Sequence, residues 1–315
     1  MNVRWFSSSF ILSRTGARGE LNAIIQMILE VKQYKTVHTC VFTLCSAGKS
    51  PAIYTEDMVY RSSTFALVTG ASSGLGVAFA RRLASDGHHL VLTARRQEYL
   101  EDLATELRAE CGVKVEVLVA DLTDSRQVQL LVNRLLCAED PVEILVNNAG
   151  FGLGKSFDAA PVEQHMQQVE VLAKVPLQLM HAALTGMLQR GRGRIINVCS
   201  VAAFTPGGTY SAVKRFMLSI SESAHVQYRR RGISVTAVCP GLIHTDFHRS
   251  MNVSAPRVPE FFWLSAQRVA DDAVRANLAG KARVIPSLPY KGLVALARVT
   301  PSGLTSRVIA RTRPY

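Results

Sequence analysis

Phe65-Ala-Leu-Val-Thr69 runs straight into Gly70-Ala71-Ser72-Ser73-Gly74-Leu75-Gly76, and this junction decides the fold. The first segment is apolar without alternation up to Thr69, the pattern of a strand buried on both faces. The glycines behind it allow a tight turn and close backbone approach to a phosphate. The helix expected over 75–86 would aim its positive end at that anion. The spacing is G-x-x-x-G-x-G, not the G-x-G-x-x-G of the commoner dinucleotide fingerprint. Taken alone, an ordinary strand-to-helix turn reads the same way.

Downstream the pattern repeats. Apolar runs at 89–93, 113–119, 142–146, 194–199 and 233–238 alternate with helical spacing at 98–110, 124–137, 162–189 and 210–231, with Asp124 as a helix cap. Apolar strands alternating with helices imply an α/β fold: a single doubly wound, Rossmann-type parallel sheet with helices on both faces. Ligands of such a sheet bind at the carboxyl ends of its strands.

Composition narrows the function classes. The 315 residues are 48% hydrophobic and 19% charged, which describes a globular chain with a sizeable core. No run of 18 clean apolar residues suits a spanning helix. The formal charge is +12, and the stretch 281–315 holds seven basic residues and no acidic one. Because the excess is concentrated there and no recognition motif accompanies it, no nucleic-acid partner is expected. The tail interleaves Leu293, Val294, Leu296, Val299 and Ile309 with arginines. That pattern suits peripheral contact with an anionic membrane, a subunit interface or a solvated helix. The six cysteines form neither a CxxC pair nor a His/Cys grouping at zinc-ligand spacing, so no metal is expected and a reducing cytoplasm is the economical location.

Three domains of sequence follow: an extension at 1–57 with one helical pattern at 20–35 and no motif, a catalytic segment at 58–286, and the basic tail at 287–315.

Chemistry gathers at the expected strand ends. After the second strand the chain offers Ala94-Arg95-Arg96 where a binder of the unphosphorylated cofactor wants a carboxylate for the ribose hydroxyls. Arg95 is suited to a bidentate grip on a 2′-phosphate, so NADP(H) is the expected cofactor. Tyr210-Ser-Ala-Val-Lys214 places an ammonium one helical turn from a phenol. For acid–base work near neutrality the phenol must fall from about 10 by roughly 3 units, about 4 kcal/mol. Ser200, ending the preceding strand, can polarise a carbonyl or cap a helix.

Together these residues resemble the short-chain dehydrogenase/reductase family, over about 65–286. The resemblance also rests on Ala120-Asp121-Leu122, Asn147-Asn148-Ala149-Gly150 and Pro240-Gly241 through Thr245. It implies catalysis by Ser200, Tyr210 and Lys214. It further implies a cofactor held by Gly70, Ser72, Ser73, Gly74, Leu75, Gly76, Arg95, Asp121, Asn148 and Thr245, together with Tyr210 and Lys214. In this reading Tyr210 exchanges a proton with the substrate oxygen, Lys214 lowers the tyrosine pKa, and Ser200 holds the carbonyl. The implied activity is hydride transfer between nicotinamide and a ketone, aldehyde or secondary alcohol, by a homo-oligomer. The alternative is a non-catalytic NADP(H)-binding sensor of the same fold.

Two departures stand out. Ser200 and Tyr210 are only ten residues apart, shorter than usual and similar to an actinobacterial-type subgroup with a shortened loop. Glu170 stands where many members carry an asparagine, and a carboxylate there could pair with Lys214 and weaken its pull on Tyr210. Phe151, Leu153, Phe204, Leu242, Phe247, Phe261, Phe262 and Trp263 flank the expected pocket, which favours a small apolar substrate.

Overall fold

The computed structural model describes residues 64–245 and 259–299, so the extension at 1–57 and the expected pocket residue Phe247 lie outside the described residues. Seven strands, β1 (Phe65–Thr69), β2 (His89–Thr93), β3 (Val115–Val117), β4 (Val142–Asn147), β5 (Gly193–Val198), β6 (Ile233–Val238) and β7 (Arg283–Val284), form one sheet in the order β3-β2-β1-β4-β5-β6-β7. Every neighbouring pair is parallel. The order reverses between β1 and β4, where the crossover helices leave to opposite faces, and this is where such sheets open a crevice.

Strand periodicity sorts the core into two layers. Phe65, Leu67, Val91, Leu145, Ile195 and Val235 face one side and pack with α3 (Ser125–Leu136), α5 (Val175–Arg190) and α6 (Gly208–Tyr228). Ala66, Val68, Leu90, Leu92, Ile144, Val146 and Ile196 face the other and pack with α1 (Gly74–Ser85), α2 (Gln97–Cys111) and α7 (Ala266–Leu278). Both faces are dry, which is why the strands read as continuous apolar runs. Each fully buried Leu or Val adds about 1.5–3 kcal/mol against exposure.

The helix expected over 162–189 is one rod of three parts: α4 (Val162–Val169), a π turn (Glu170–Lys174) and α5. Its cause is Pro176, which has no N–H to give and would clash with the carbonyl four residues back. The turn widens, and the Val175 N–H bonds the Glu170 carbonyl instead. This rod is long and apolar enough to cross a bilayer by composition, but over half of that window is buried inside the fold, as in a core helix.

The fold does not stop at 286. Leu288–Val299 forms a helix, α8, and Ser287, Tyr290 and Val294 are buried. The Tyr290 hydroxyl accepts the Leu242 N–H at 3.1 Å, and a side chain on Gly241 would collide with the Tyr290 ring. The sequence boundary at 287 therefore cuts through a packed element, because Tyr290 and Val294, four residues apart, supply an inward face that the run of leucines conceals.

His88, in the turn before β2, is 3% exposed. Arg194 Nη2 lies 3.2 Å from its Nε2, and an arginine can only donate, so Nε2 accepts and Nδ1 carries the hydrogen toward Thr64 Oγ1, also at 3.2 Å. Burial, helped by the Arg194 charge, pushes its pKa down to about 4. The unfolded chain takes this proton near 6.5 and the folded one resists it. Stability from this site is therefore complete above pH 6.5 and declines by about 3 kcal/mol as pH falls toward 4. Urea unfolding from pH 7 to 4 should show that decline in the wild type and a shallower one in His88→Gln.

Candidate active site

The glycine turn is built to leave room. Gly70 has φ +70°, and a Cβ there would lie 2.9 Å from the Ala149 Cα. A Cβ on Gly76 would strike the Gly70 carbonyl oxygen. Gly74 faces Thr245, whose Cγ2 would sit 2.9 Å from an added Cβ, so the two halves of the sheet meet across this turn. Ser73 caps α1 with extended backbone but makes no side-chain cap bond, and no acidic residue occupies the first helical turn. The N–H groups at that end keep their capacity for an anion. Ser72, Ser73 and Leu75 occupy the rest of this turn and the start of α1.

A brace holds this turn from below. Thr69 Oγ1 donates to the Val146 carbonyl at 3.3 Å and accepts the N–H groups of Asn148 and Ala149, each at 3.0 Å. Asn148 Nδ2 donates to the carbonyls of Thr69 and Gly70 at 2.9 and 3.3 Å. Asn148 thus sets the shape of the turn. Thr69, which the sequence reading passed over as the end of a strand, is its partner.

At the end of β2, Arg95 is exposed, with Nη1 4.0 Å from Asp121 Oδ2. Asp121 Oδ1 accepts from the N–H and hydroxyl of Thr123 at 2.9 and 2.8 Å. Arg96 is also in place. Its Nη2 donates to Ser72 O and Oγ at 3.0 and 3.1 Å, and its guanidinium stacks 4.3 Å above the Tyr99 ring. Two guanidinium groups therefore stand beside the cradle where Arg95 alone was expected. The signal was present in the doublet itself.

Ser200, Tyr210 and Lys214 converge. Ser200 caps the 3-10 turn Val201–Phe204 by accepting the Ala202 N–H at 3.1 Å, and its hydroxyl also bonds Tyr210. Only Thr205, Pro206 and Gly207 separate that turn from α6, which begins at Gly208 with φ +67°. Tyr210 packs against the cluster of Leu172, Ala173 and Val213, as Val169 does, so the π turn supplies part of its backing. Lys214 is 4% exposed; its Nζ donates to the Val198 carbonyl at 2.7 Å and lies 5.7 Å from the Tyr210 ring centre. Burial lowers the Lys214 pKa, with the neighbouring Cys199 and Cys239 opposing it. Burial pushes the Tyr210 phenol up to about 12, with the Ser200 hydrogen bond opposing. The expected depression of Tyr210 by Lys214 is thus reversed in the protein alone: at neutral pH the phenol keeps its proton, the state of a donor.

Behind these groups a buried amide chain ties the strands to α6. Asn147 Nδ2 donates to Asn197 Oδ1 and Asn197 Nδ2 to Ser221 Oγ, both at 2.8 Å. Glu170 does not reach for Lys214. Its Oε1 is 2.9 Å from Lys174 Nζ, one turn along the rod, which removes the sequence-based reason to doubt the lysine.

The apolar flank is partly realised. Phe151, Phe204 and Phe262 are half-buried against the core, and Phe262 meets Tyr290 edge-on at 5.6 Å. Phe261 points outward, 63% exposed, and Trp263 stacks on His244 at 4.8 Å. A separate apolar cavity of about 670 Å³ lies between the rod and α6, walled by Phe157, Val169, Ala173, Leu177, Val213 and Phe216. None of the three catalytic candidates lines it. Among the described residues no group of three His, Cys, Asp or Glu side chains could hold a metal ion.

A Rossmann-type sheet with a phosphate cradle at its switch point and a Ser-Tyr-Lys set beside it defines a nicotinamide-dependent oxidoreductase architecture. Residues 64–255 match the family model for short chain dehydrogenases, and the chain belongs to that family. It is 36% identical over 219 residues to glycine betaine reductase ATRR of Emericella nidulans, covering 69% of this chain but only 17% of that much longer protein. Its fold is similar to a short-chain dehydrogenase from Sphingobium yanoikuyae in complex with NADPH, at TM-score 0.68 and 31% identity, covering 77% of this chain and 95% of the other. It is similar also to the bulky-bulky ketone specific alcohol dehydrogenase from Comamonas testosteroni, at TM-score 0.65 and 30% identity, covering 77% and 94%.

Because the Gly76 position admits no Cβ, Gly76→Ala should displace the turn and weaken NADPH binding at least about 100-fold, near 2.7 kcal/mol. A fluorescence titration with NADPH checks this, with circular dichroism reporting that the sheet is retained.

Proposed function

We propose that this oxidoreductase uses NADP(H) to interconvert a hydrophobic ketone or aldehyde and its secondary or primary alcohol, with reduction the direction its resting state favours. The observation that carries the reading is the convergence of Ser200, a protonated Tyr210 and a buried Lys214 at the strand ends beside the glycine cradle. The turn 70–76 with Asn148 and Thr245 would hold the cofactor's phosphates and nicotinamide side, and Asp121 its adenine. Arg95 and Arg96 would bind the 2′-phosphate. When bound, the nicotinamide supplies the hydride.

The chain's own residues do the rest. Ser200 donates to the substrate carbonyl oxygen and fixes its direction. Tyr210 delivers its proton to that oxygen as negative charge develops there, which a phenol held neutral at pH 7 can do without prior protonation. The Lys214 ammonium, fixed by the Val198 carbonyl, then lies within electrostatic reach of the phenolate that remains. Phe151, Phe204 and Phe262 exclude water from the approach and favour an apolar substrate. The ketone specificity of the Comamonas relative supports that class. The short Ser200–Tyr210 connection supports the shortened-loop subgroup, in which the entrance differs more than the chemistry. The cavity between the rod and α6 supports self-association, since an exposed apolar groove of this kind suits a second copy of the chain.

Tyr210→Phe should lower kcat by about 10²–10⁴-fold while the NADPH dissociation constant moves less than about threefold. Steady-state kinetics with an apolar ketone panel and a parallel titration make the comparison, and unchanged turnover would remove Tyr210 from the mechanism. Separately, replacing Arg95 and Arg96 by Glu should weaken NADPH at least about tenfold more than NADH, some 1.4 kcal/mol. Equal losses for the two cofactors would place the 2′-phosphate elsewhere.

A further inference from the structure

Helix α8 turns the usual amphipathic rule inside out. A surface helix shows its polar side to water. Here Tyr290 and Val294 face in, while the opposite side presents Leu288, Gly292, Ala295 and Leu296, all exposed, with Leu293 on the flank. Leu288 is 75% and Leu296 62% exposed. Phe261, itself 63% exposed, lies 4.4 Å from Phe262, which packs against the inward Tyr290. One exposed leucine needs no explanation, but a contiguous row on one helix marks a site of association.

We propose that the outer face of α8 is a docking surface for an anionic lipid bilayer. The charge of the surrounding chain selects this occupant. From 281 to 315 the sequence has seven basic residues and no acidic one. Of the three whose side chains are described, Arg283 is held by the Glu222 carboxylate at 2.8 Å, while Lys281 and Lys291 are exposed. Lys291 stands exposed on the helix itself. Glu260, the acidic residue nearest in the chain to Phe261, is occupied by His244 Nε2 at 2.7 Å. Leucines set into an interface with lysine and arginine beside them are what anionic headgroups retain. A second copy fits less well. A two-fold contact brings the same patch against itself, so it would carry the Lys291 ammonium of each copy into the same seam. A twelve-residue helix also offers little of the roughly 800 Å² per partner that a stable dimer buries. An α8 lying in the headgroup layer holds the Gly241–Leu242 side of the cleft at the lipid boundary, through the Tyr290 hydroxyl. On the apolar-substrate reading above, substrate would then arrive from the bilayer rather than from water.

The test uses the full chain with NADPH bound, floated with vesicles of phosphatidylcholine containing one third phosphatidylglycerol and with vesicles of phosphatidylcholine alone. Binding to the anionic vesicles should exceed binding to the neutral ones at least tenfold and should fall as salt rises to about 0.5 M, where screening is nearly complete. Leu288→Ser with Leu296→Ser, and separately Lys291→Glu, should each reduce it several-fold with NADPH affinity unchanged, a control that separates this proposal from the catalytic one. No preference for anionic vesicles, or variants that float like the wild type, would overturn it. So would a serine variant whose mass by light scattering drops to that of a smaller assembly, since the face would then belong to a second copy.

Discussion

The structure depends on how the chain handles the point where its sheet changes direction. Where β1 and β4 lie side by side and their connections leave to opposite faces, the strand ends splay and backbone amides lose their ladder partners. Buried N–H groups left this way cost about 1–3 kcal/mol each. One hydroxyl, that of Thr69, takes up the amides of Asn148 and Ala149, and the Asn148 side chain answers by tying down the carbonyls of Thr69 and Gly70. The crevice is therefore held open by satisfied hydrogen bonds. The glycine turn inherits its shape from them, and the cofactor cradle is a by-product of solving a problem in sheet topology.

The Ser200–Tyr210–Lys214 group, to which we assign the chemistry, is fixed by a similar economy. Lys214 could not stay charged in so dry a place without a partner, and the Val198 carbonyl at the end of β5 provides it. The same strand end carries Ser200 two residues further on, while the amide chain from Asn147 through Asn197 to Ser221 fastens β4 and β5 to the helix bearing Tyr210 and Lys214. Ser200, Tyr210 and Lys214 are thereby set by backbone geometry. The protonated state of Tyr210 follows from the same dryness that lowers Lys214.

Much of this was legible in the sequence, for identifiable reasons. Strands buried on both faces announce themselves as unbroken apolar runs, and β1, β2 and β6 begin and end where that pattern does. The glycine turn and the Tyr210/Lys214 pair are also local in sequence, so their spacing shows once the strands and helices around them are read. What stayed hidden is contact-dependent. Thr69 looks like any β-branched residue closing a strand. The π turn follows from Pro176 acting on carbonyls one turn back, and with it goes the Glu170–Lys174 pair that keeps the carboxylate away from Lys214. β7 is two residues long, too short for any period to show. In α8 the outward leucines drown the Tyr290–Val294 signal, so a packed helix reads as a tail.

The Tyr290 anchor has a mechanical meaning as well. The hydroxyl-to-amide link couples the last described helix to the loop after β6, with no room for a side chain on Gly241 between them. Tension entering from the carboxyl end reaches α8 before any strand of the sheet. The loop after β6 would slacken under a pull too weak to unzip β1 from β4, which makes α8 a handle on Gly241 and Leu242.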